Sequence, residues 1–247
     1  MCRSWPPLQS EHNSEFSGLD ELLAIDRSLA NYNRHIVGLF AEFLGDSRNV
    51  VDFGAGIGTL SKIYRAKTGI SPVCVEIDAD AGNYLTGAGL ETRRSIDDIA
   101  VAIDGLFTSN VLEHIADDAA ALRAIHNKMK PGGKLAIYVP AFMLLFSDMD
   151  RKVGHYRRYS KSELVEKVRN AGFSINSVRY VDSVGFLASL PLVLMASWKT
   201  SGSPQMPVSA SSMKFYDRYL FPLSRLLDRV GLRHLLGKNL YLQAVRD

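Results

Sequence analysis

Asp52 stands two residues ahead of three glycines, Gly54, Gly56 and Gly58, and directly after the apolar pair Val50-Val51. Glycine lets the backbone turn tightly and approach a ligand where a Cβ would collide. A helix starting near Thr59 would point its free N–H groups back at that ligand. The spacing G-x-G-x-G departs from the dinucleotide fingerprint G-x-G-x-x-G. A carboxylate beside the loop serves a pyrophosphate poorly and a cationic amino-acid group well. Glu76 closes a second apolar run, Pro72 to Val75, 18 residues beyond Gly58. A carboxylate accepts two hydrogen bonds side by side, so an acid there fits the two hydroxyls of a ribose. Asp78, just beyond, reads better as the cap of the next helix.

Asn110 ends a later apolar run, at the mouth of the site by the carboxyl-end rule for open α/β sheets, and Glu113 and His114 follow on the turn. Further on, His155, Tyr156, Arg157, Arg158 and Tyr159 place an imidazole, two guanidiniums and two phenols within five residues. Such a set could grip a phosphate or carboxylate and accept a proton near neutral pH. The same arginines could instead lead into a helix whose cap is Ser160 or Ser162, in a Ser-x-x-Glu pattern.

The run Val50-Val51-Asp52-Phe53-Gly54-Ala55-Gly56-Ile57-Gly58 resembles the first motif of the class I S-adenosylmethionine-dependent methyltransferases. Three further stretches are similar to that family in order and spacing: the strand ending at Glu76, the run from Asp104 to the Leu112-Glu113-His114 turn, and Met129 to Pro140 with its Pro131-Gly132-Gly133 turn. The resemblance implies that Asp52 lies near the methionine end of the cofactor and that Gly54, Ala55, Gly56 and Gly58 pass beneath it. It implies that Glu76 and Ile77 meet the ribose side, and that Asn110 and Val111 border the mouth of the site. Ser95, Ile96 and Asp97 fall where relatives contact adenine, although a helix cap by Ser95 with acids in the first turn explains the same stretch. Tyr32 falls in a helix that some relatives place over the cofactor, or it is simply part of that helix's buried stripe.

The implied chemistry is in-line displacement at a sulfonium methyl, leaving S-adenosyl-L-homocysteine. Positioning supplies much of such a rate, and an oxygen acceptor of high pKa wants a general base. His155 is the first candidate base and His114 the second. Tyr156, Arg157, Arg158 and Tyr159 are the candidate acceptor-binding residues; their run resembles one in bacterial methyltransferases of the ubiquinone-biosynthesis-like and glycan-cluster groups. The expected acceptor is an oxygen or nitrogen of a small molecule, a sugar or a lipid-linked compound. No metal-ligand cluster shows in the spacing, which disfavours a metal-dependent catechol-type reaction. A nucleic-acid substrate is disfavoured too, because no Asn/Asp-Pro-Pro-Tyr/Phe signature follows the fourth strand. The competing reading is a non-catalytic scaffold or regulatory subunit of the same fold, against which the intact Asp52, Glu76 and glycines speak.

These residues need an α/β frame: a Rossmann-like, mostly parallel seven-stranded sheet with an antiparallel last strand. Residues 1–45 carry a helical stripe (Leu22, Leu29, Tyr32, Ile36, Phe40, Leu44) and read as a lid preceded by a loose start. Residues 46–182 are the cofactor-binding core, 183–239 a helical insert, and 240–247 the final strand. The insert contains the longest uncharged apolar run, Val184 to Trp198, which is 15 residues long and interrupted by Pro191. A membrane span needs about 20. The insert could wall an acceptor pocket, touch a membrane surface or pair with a second copy.

Composition sets the outer bounds. The 247 residues, 47% hydrophobic and 22% charged, suit one elaborated globular domain. Two cysteines, Cys2 and Cys74, make no disulfide framework, and the first residues lack a signal peptide's apolar run, so a cytoplasmic or membrane-peripheral protein is expected. The net charge of +3 is unevenly spread. Residues 1–150 hold 13 basic and 20 acidic side chains, and residues 151–247 hold 16 and 6. A basic final third suits an anionic substrate or surface, or else solvated helix faces.

Overall fold

The computed structural model describes residues 28–198 and 209–247. The expected loose start, the first turns of the lid helix, Cys2 and the Thr200–Pro207 linker lie outside them. Seven strands form one sheet in the order β3-β2-β1-β4-β5-β7-β6. They are β1 (Val50–Phe53), β2 (Val73–Val75), β3 (Thr92–Arg93), β4 (Ile103–Ser109), β5 (Met129–Pro140), β6 (Phe173–Val181) and β7 (Asn239–Arg246). Pairs β1–β2, β1–β4, β2–β3 and β4–β5 are parallel, while β7 runs antiparallel to both β5 and β6. Both faces of the sheet are covered, which is why its strands read as continuous apolar runs. Along β5, Leu135, Ile137 and Val139 face one layer while Ala136 and Tyr138 face the other. Leu135, Ile137 and Val139 each contribute about 1.5–3 kcal/mol by leaving water. β3 is shorter than the expected Leu90–Arg94, because Leu90 is buried with Leu85 and Cys74 instead of joining the ladder.

One layer holds α1 (Ala30–Leu44) and α2 (Thr59–Thr68), with Phe40 stacked on Phe107 at 5.0 Å. α3 (Ala79–Gly87) is capped by Asp78, whose Oδ1 accepts the Ala81 N–H at 2.8 Å, as its position suggested. The opposite layer holds α4 (Asp118–Lys128) and α6 (Lys161–Asn170), with the short α5 (Asp148–Lys152) between them in sequence. Ser160, rather than Ser162, caps α6 by accepting the Glu163 N–H.

The insert is helical as expected. It comprises α7 (Ser183–Trp198), α8 (Ala210–Phe215), a π-helical turn over Tyr216–Leu220 and α9 (Phe221–Arg229). Phe221 and then Pro222 follow the π turn, and the proline sits in the first turn of α9. Asp217 in that turn binds the start of α1: its carboxylate accepts the N–H groups of Asn31 (3.0 Å) and Tyr32 (2.8 Å). α1 has no cap of its own, so a residue 186 positions away satisfies its orphan donors. α1 and the insert are thereby joined. Among the described residues no helix is long and apolar enough to cross a membrane.

Candidate active site

The carboxyl ends of β1, β2, β4, β5 and β6 lie along one edge, where open α/β sheets bind their ligands. Three non-glycine residues with positive φ sit just past strand ends there: Asn110 (54°) after β4, Phe142 (61°) after β5 and Asp182 (70°) after β6. Strained backbone of this kind concentrates at functional edges. The glycine loop follows β1, and Gly54, Gly56 and Gly58 all have positive φ. A Cβ on Gly54 would meet Val111 Cγ2 at 2.3 Å, and one on Gly58 would meet Leu85 Cδ2 at 2.6 Å. The loop is drawn onto β2: Gly54 and Ala55 N–H donate to the Val75 carbonyl, and Gly56 N–H donates to Glu76 Oε2 at 2.7 Å. Glu76 Oε1 accepts the Asp78 N–H at 2.9 Å. Each carboxylate oxygen keeps lone-pair capacity for a further donor. Ile77, beside it, is 45% exposed, an apolar surface on the rim.

The Ser95 stretch approaches the same rim, since Arg94 donates to the Ile77 carbonyl at 3.1 Å. Ser95 caps a 3-10 turn over Ile96–Asp98, with Asp98 closing the box on the Ser95 N–H. Ile96 is buried in the core, leaving Asp97 as the exposed member of the trio. Asp52 is 2% exposed, accepts a bond from Ser61 Oγ at 2.7 Å, and is pushed up to about 7, chiefly by burial. A buried carboxyl without a cationic partner, an acid with free acceptor capacity, a loop of positive φ and an exposed apolar rim suit a nucleoside carrying a cationic amino-acid tail.

Past β4, a 3-10 turn over Leu112–His114 carries Glu113, which is fully buried. Neither of its carboxylate oxygens has a hydrogen-bond partner. Burial above all pushes it up to about 8. The Glu113 carbonyl accepts the Tyr156 N–H at 2.8 Å, which brings the 155–159 segment alongside. His155 Nε2 then lies 3.9 Å from Glu113 Oε1, while its Nδ1 lies 2.8 Å from Asp150 Oδ1. Arg158 grips the same Asp150 in a fork, Nε to Oδ1 at 2.8 Å and Nη2 to Oδ2 at 3.1 Å. Burial alone would raise Asp150, but the bonds from His155 and Arg158 outweigh it and hold the carboxyl well below the usual range. An ionised Asp150 fixes the His155 proton on Nδ1 and leaves Nε2 free to accept another. His114 packs edge-on to His155, ring centroids 4.5 Å apart, and burial followed by the His155 charge pushes it down to about 4. Glu113, His114 and His155 place one ligand atom each within 4.8 Å of one another. Such a trio can share a proton or hold a cation, a proximity that spacing along the chain did not reveal.

The acceptor-binding quartet is divided. Arg158 serves Asp150, while Arg157 binds Asp118 Oδ2 at 2.7 Å and the Ala116 carbonyl at 2.8 Å. Tyr159 is fully buried and donates to Asp118 Oδ2, and Lys167 takes Oδ1. These three residues therefore brace the segment with the protein's own carboxylates rather than presenting free charge. Tyr156 is the open member, 58% exposed.

Tyr32 bonds to Tyr138 Oη and to Asn239 Nδ2, each at 3.0 Å, and lies edge-on to Phe221. Nearby, Asp182 Oδ1 accepts from Tyr216 Oη, Ser224 Oγ and the Gly185 N–H. Asp150, Asp182 and Asp217 escaped the sequence reading. The first had a visible signal in the capping pattern Ser147-x-x-Asp150; the other two act through partners far along the chain.

A family model described as "Methyltransferase domain" matches residues 25–178. The chain is 28% identical over 153 residues to a ubiquinone biosynthesis O-methyltransferase of Xanthomonas oryzae pv. oryzae, covering 52% of this chain and 64% of that protein. It is 29% identical over 154 residues to the one from Xanthomonas euvesicatoria pv. vesicatoria, again covering 64% of the relative. The match thus spans a little under two thirds of these curated relatives. Among solved structures, a SAM-dependent methyltransferase from Archaeoglobus fulgidus aligns with a TM-score of 0.62 at 15% identity, covering 92% of this chain and 99% of that one. The [4+2]-cyclase SpnF aligns at 0.56 and 18% identity, covering 86% and 81%. At these identities the likeness is one of fold, and fold alone does not fix chemistry.

Proposed function

Because the chain belongs to the methyltransferase-domain family, with the class I fold, we propose that it moves a methyl group from S-adenosylmethionine to an oxygen or nitrogen of a small acceptor. The observation that carries the catalytic part is the buried, unpartnered Glu113 carboxyl facing His155 across 3.9 Å. When bound, the cofactor supplies an electrophilic methyl. Glu76 and the Gly54–Gly58 loop would hold its nucleoside, with Ile77 and Asp97 on the adenine side. His155 Nε2 accepts the acceptor's proton. Asp150 orients the ring and stabilises the imidazolium that results. The O-methyltransferase names of the Xanthomonas relatives favour oxygen. An acceptor with an apolar body fits the rim, where Met143, Leu144 and Tyr156 are exposed and Phe142 stacks on Tyr180 at 4.7 Å.

The test is transfer of labelled methyl from S-adenosylmethionine to a panel of phenols, catechols, amines and lipid-linked hydroxyl compounds. His155→Ala should cut kcat by about 10²–10⁴-fold, the range for a positioned base, while binding of S-adenosylhomocysteine is unchanged. A variant as active as wild type would remove His155 from the mechanism. Chelator should leave the rate intact; a loss restored by a divalent cation would make Glu113, His114 and His155 cation ligands instead. Cofactor binding with no turnover on any acceptor would favour the scaffold reading.

A further inference from the structure

A cavity of about 500 Å³ lies between α1, the end of β6 and α9, and shares no residue with the glycine loop, Glu76 or the Glu113–His155 pair. Its walls carry six cations: Arg34, Lys67, Arg179, Arg225, Arg229 and Arg233. Arg225 and Arg229 stand four apart on one side of α9, and Arg233 joins them from the 3-10 turn over Leu232–His234 that follows. The acids in the same walls are Glu42 and Asp228, and Asp228 already accepts the N–H groups of Asp182 and Ser183. Among the described residues none of the six cations forms an ion pair with a carboxylate. Arg179 rests over the Tyr241 ring at 5.2 Å, and Arg34 donates to Asn31 Oδ1 at 3.4 Å. The Nε atoms of Arg225 and Arg233 are buried without any hydrogen-bond partner.

Native structures rarely leave buried donors orphaned, and each such atom calls for an explanation. Like charges gathered in one hollow repel, and the repulsion reaches His35 in the same wall. Burial first, then Arg225, Arg179 and Arg229, pushes that imidazole down to about 4. An anion would relieve both defects. Guanidinium forks match the geometry of phosphate oxygens in particular. The volume falls within the range of about 300–1,000 Å³ found for small-molecule sites. We propose that this cavity binds a phosphate ester or diphosphate, with Arg179, Arg225 and Arg233 as its principal donors. Two sources could bring that group: a soluble phosphate compound, or the headgroup of an anionic lipid. The exposed Leu223 and Leu226 on α9, with Val230 just past its end, would lie alongside the tail of the latter.

The experiment uses the full chain in two arms. Inorganic pyrophosphate is titrated calorimetrically, and vesicles of phosphatidylglycerol or of phosphatidylcholine are tested by co-sedimentation. Binding is expected in at least one arm, weakened at least tenfold in the double variant Arg225→Gln/Arg233→Gln and weakened in Arg179→Gln. Thermal melting reports whether each variant folds. Should the double variant fail to fold, Arg179→Gln and the wild-type titrations carry the decision. Pyrophosphate binding would assign a soluble phosphate compound; sedimentation with phosphatidylglycerol alone would assign a headgroup. Wild-type protein binding neither probe, or folded variants binding as well as wild type, would overturn the proposal.

Discussion

Glu113 and His155 are 42 positions apart in sequence, yet they share one small, nearly dry space in which a proton has few places to go. Held up near 8 by burial, Glu113 is protonated through neutral pH. Once ionised it would favour the imidazolium form of His155 and so assist proton removal from an acceptor. The rate should therefore climb with pH toward and through about 8. In Glu113→Gln that rise should flatten while S-adenosylhomocysteine binds as in wild type, which a pair of pH–kcat profiles would reveal. Legibility at this scale followed locality. The glycine loop and Glu76 could be read because their partners are neighbours in the chain. Arg157 and Arg158 suggested an anion site because nothing nearby showed that Asp118 and Asp150 would claim them. Glu113 was noticed only as a turn residue, since burial without a partner is a property of the fold.

At the scale of elements, two helices announced themselves through their caps, α3 through Asp78 and α6 through Ser160. The link between α1 and the insert was not announced. Asp217 reads in sequence as one more acid in a helix, and only the fold brings it to the bare N-terminus of α1. Asp217→Ala should cost about 0.5–2 kcal/mol, the usual worth of an N-cap, measurable by urea unfolding. It should also loosen Tyr32, whose N–H it holds, and so raise KM for the acceptor if α1 borders the site. Unchanged stability would mean that α1 is held by its buried face, through Ile36, Val37 and Phe40, without help from the cap.

Over the whole molecule, the unequal charge of the two parts was legible as a sum, but not that part of the excess would line one cavity. Titration of buried groups gives a further global signature. Asp52 at about 7 and Glu113 at about 8 keep protons that unfolded carboxyls release near pH 4, so their stabilising effect fades as pH rises through 7 and 8. His35 and His114, both at about 4, act in the other direction: the unfolded chain takes up their protons below about 6.5 while the folded one does not. The two pairs offset one another between roughly pH 4.5 and 6.5. The melting temperature should be nearly flat over that range and decline from about 6.5 to 8.5; a continuous rise with pH would show that the buried carboxyls are not protonated as described.

The cofactor reading of the carboxyl edge is the claim on which the rest depends, and calorimetric titration with S-adenosylhomocysteine of wild type and Glu76→Ala tests it most directly. Wild type should bind S-adenosylhomocysteine saturably, one to one. In the variant, affinity should fall at least tenfold, a loss of about 1.4 kcal/mol, because the carboxylate that also anchors the Gly56 N–H is gone. No heat with wild type, or equal affinity for the two proteins, would contradict it.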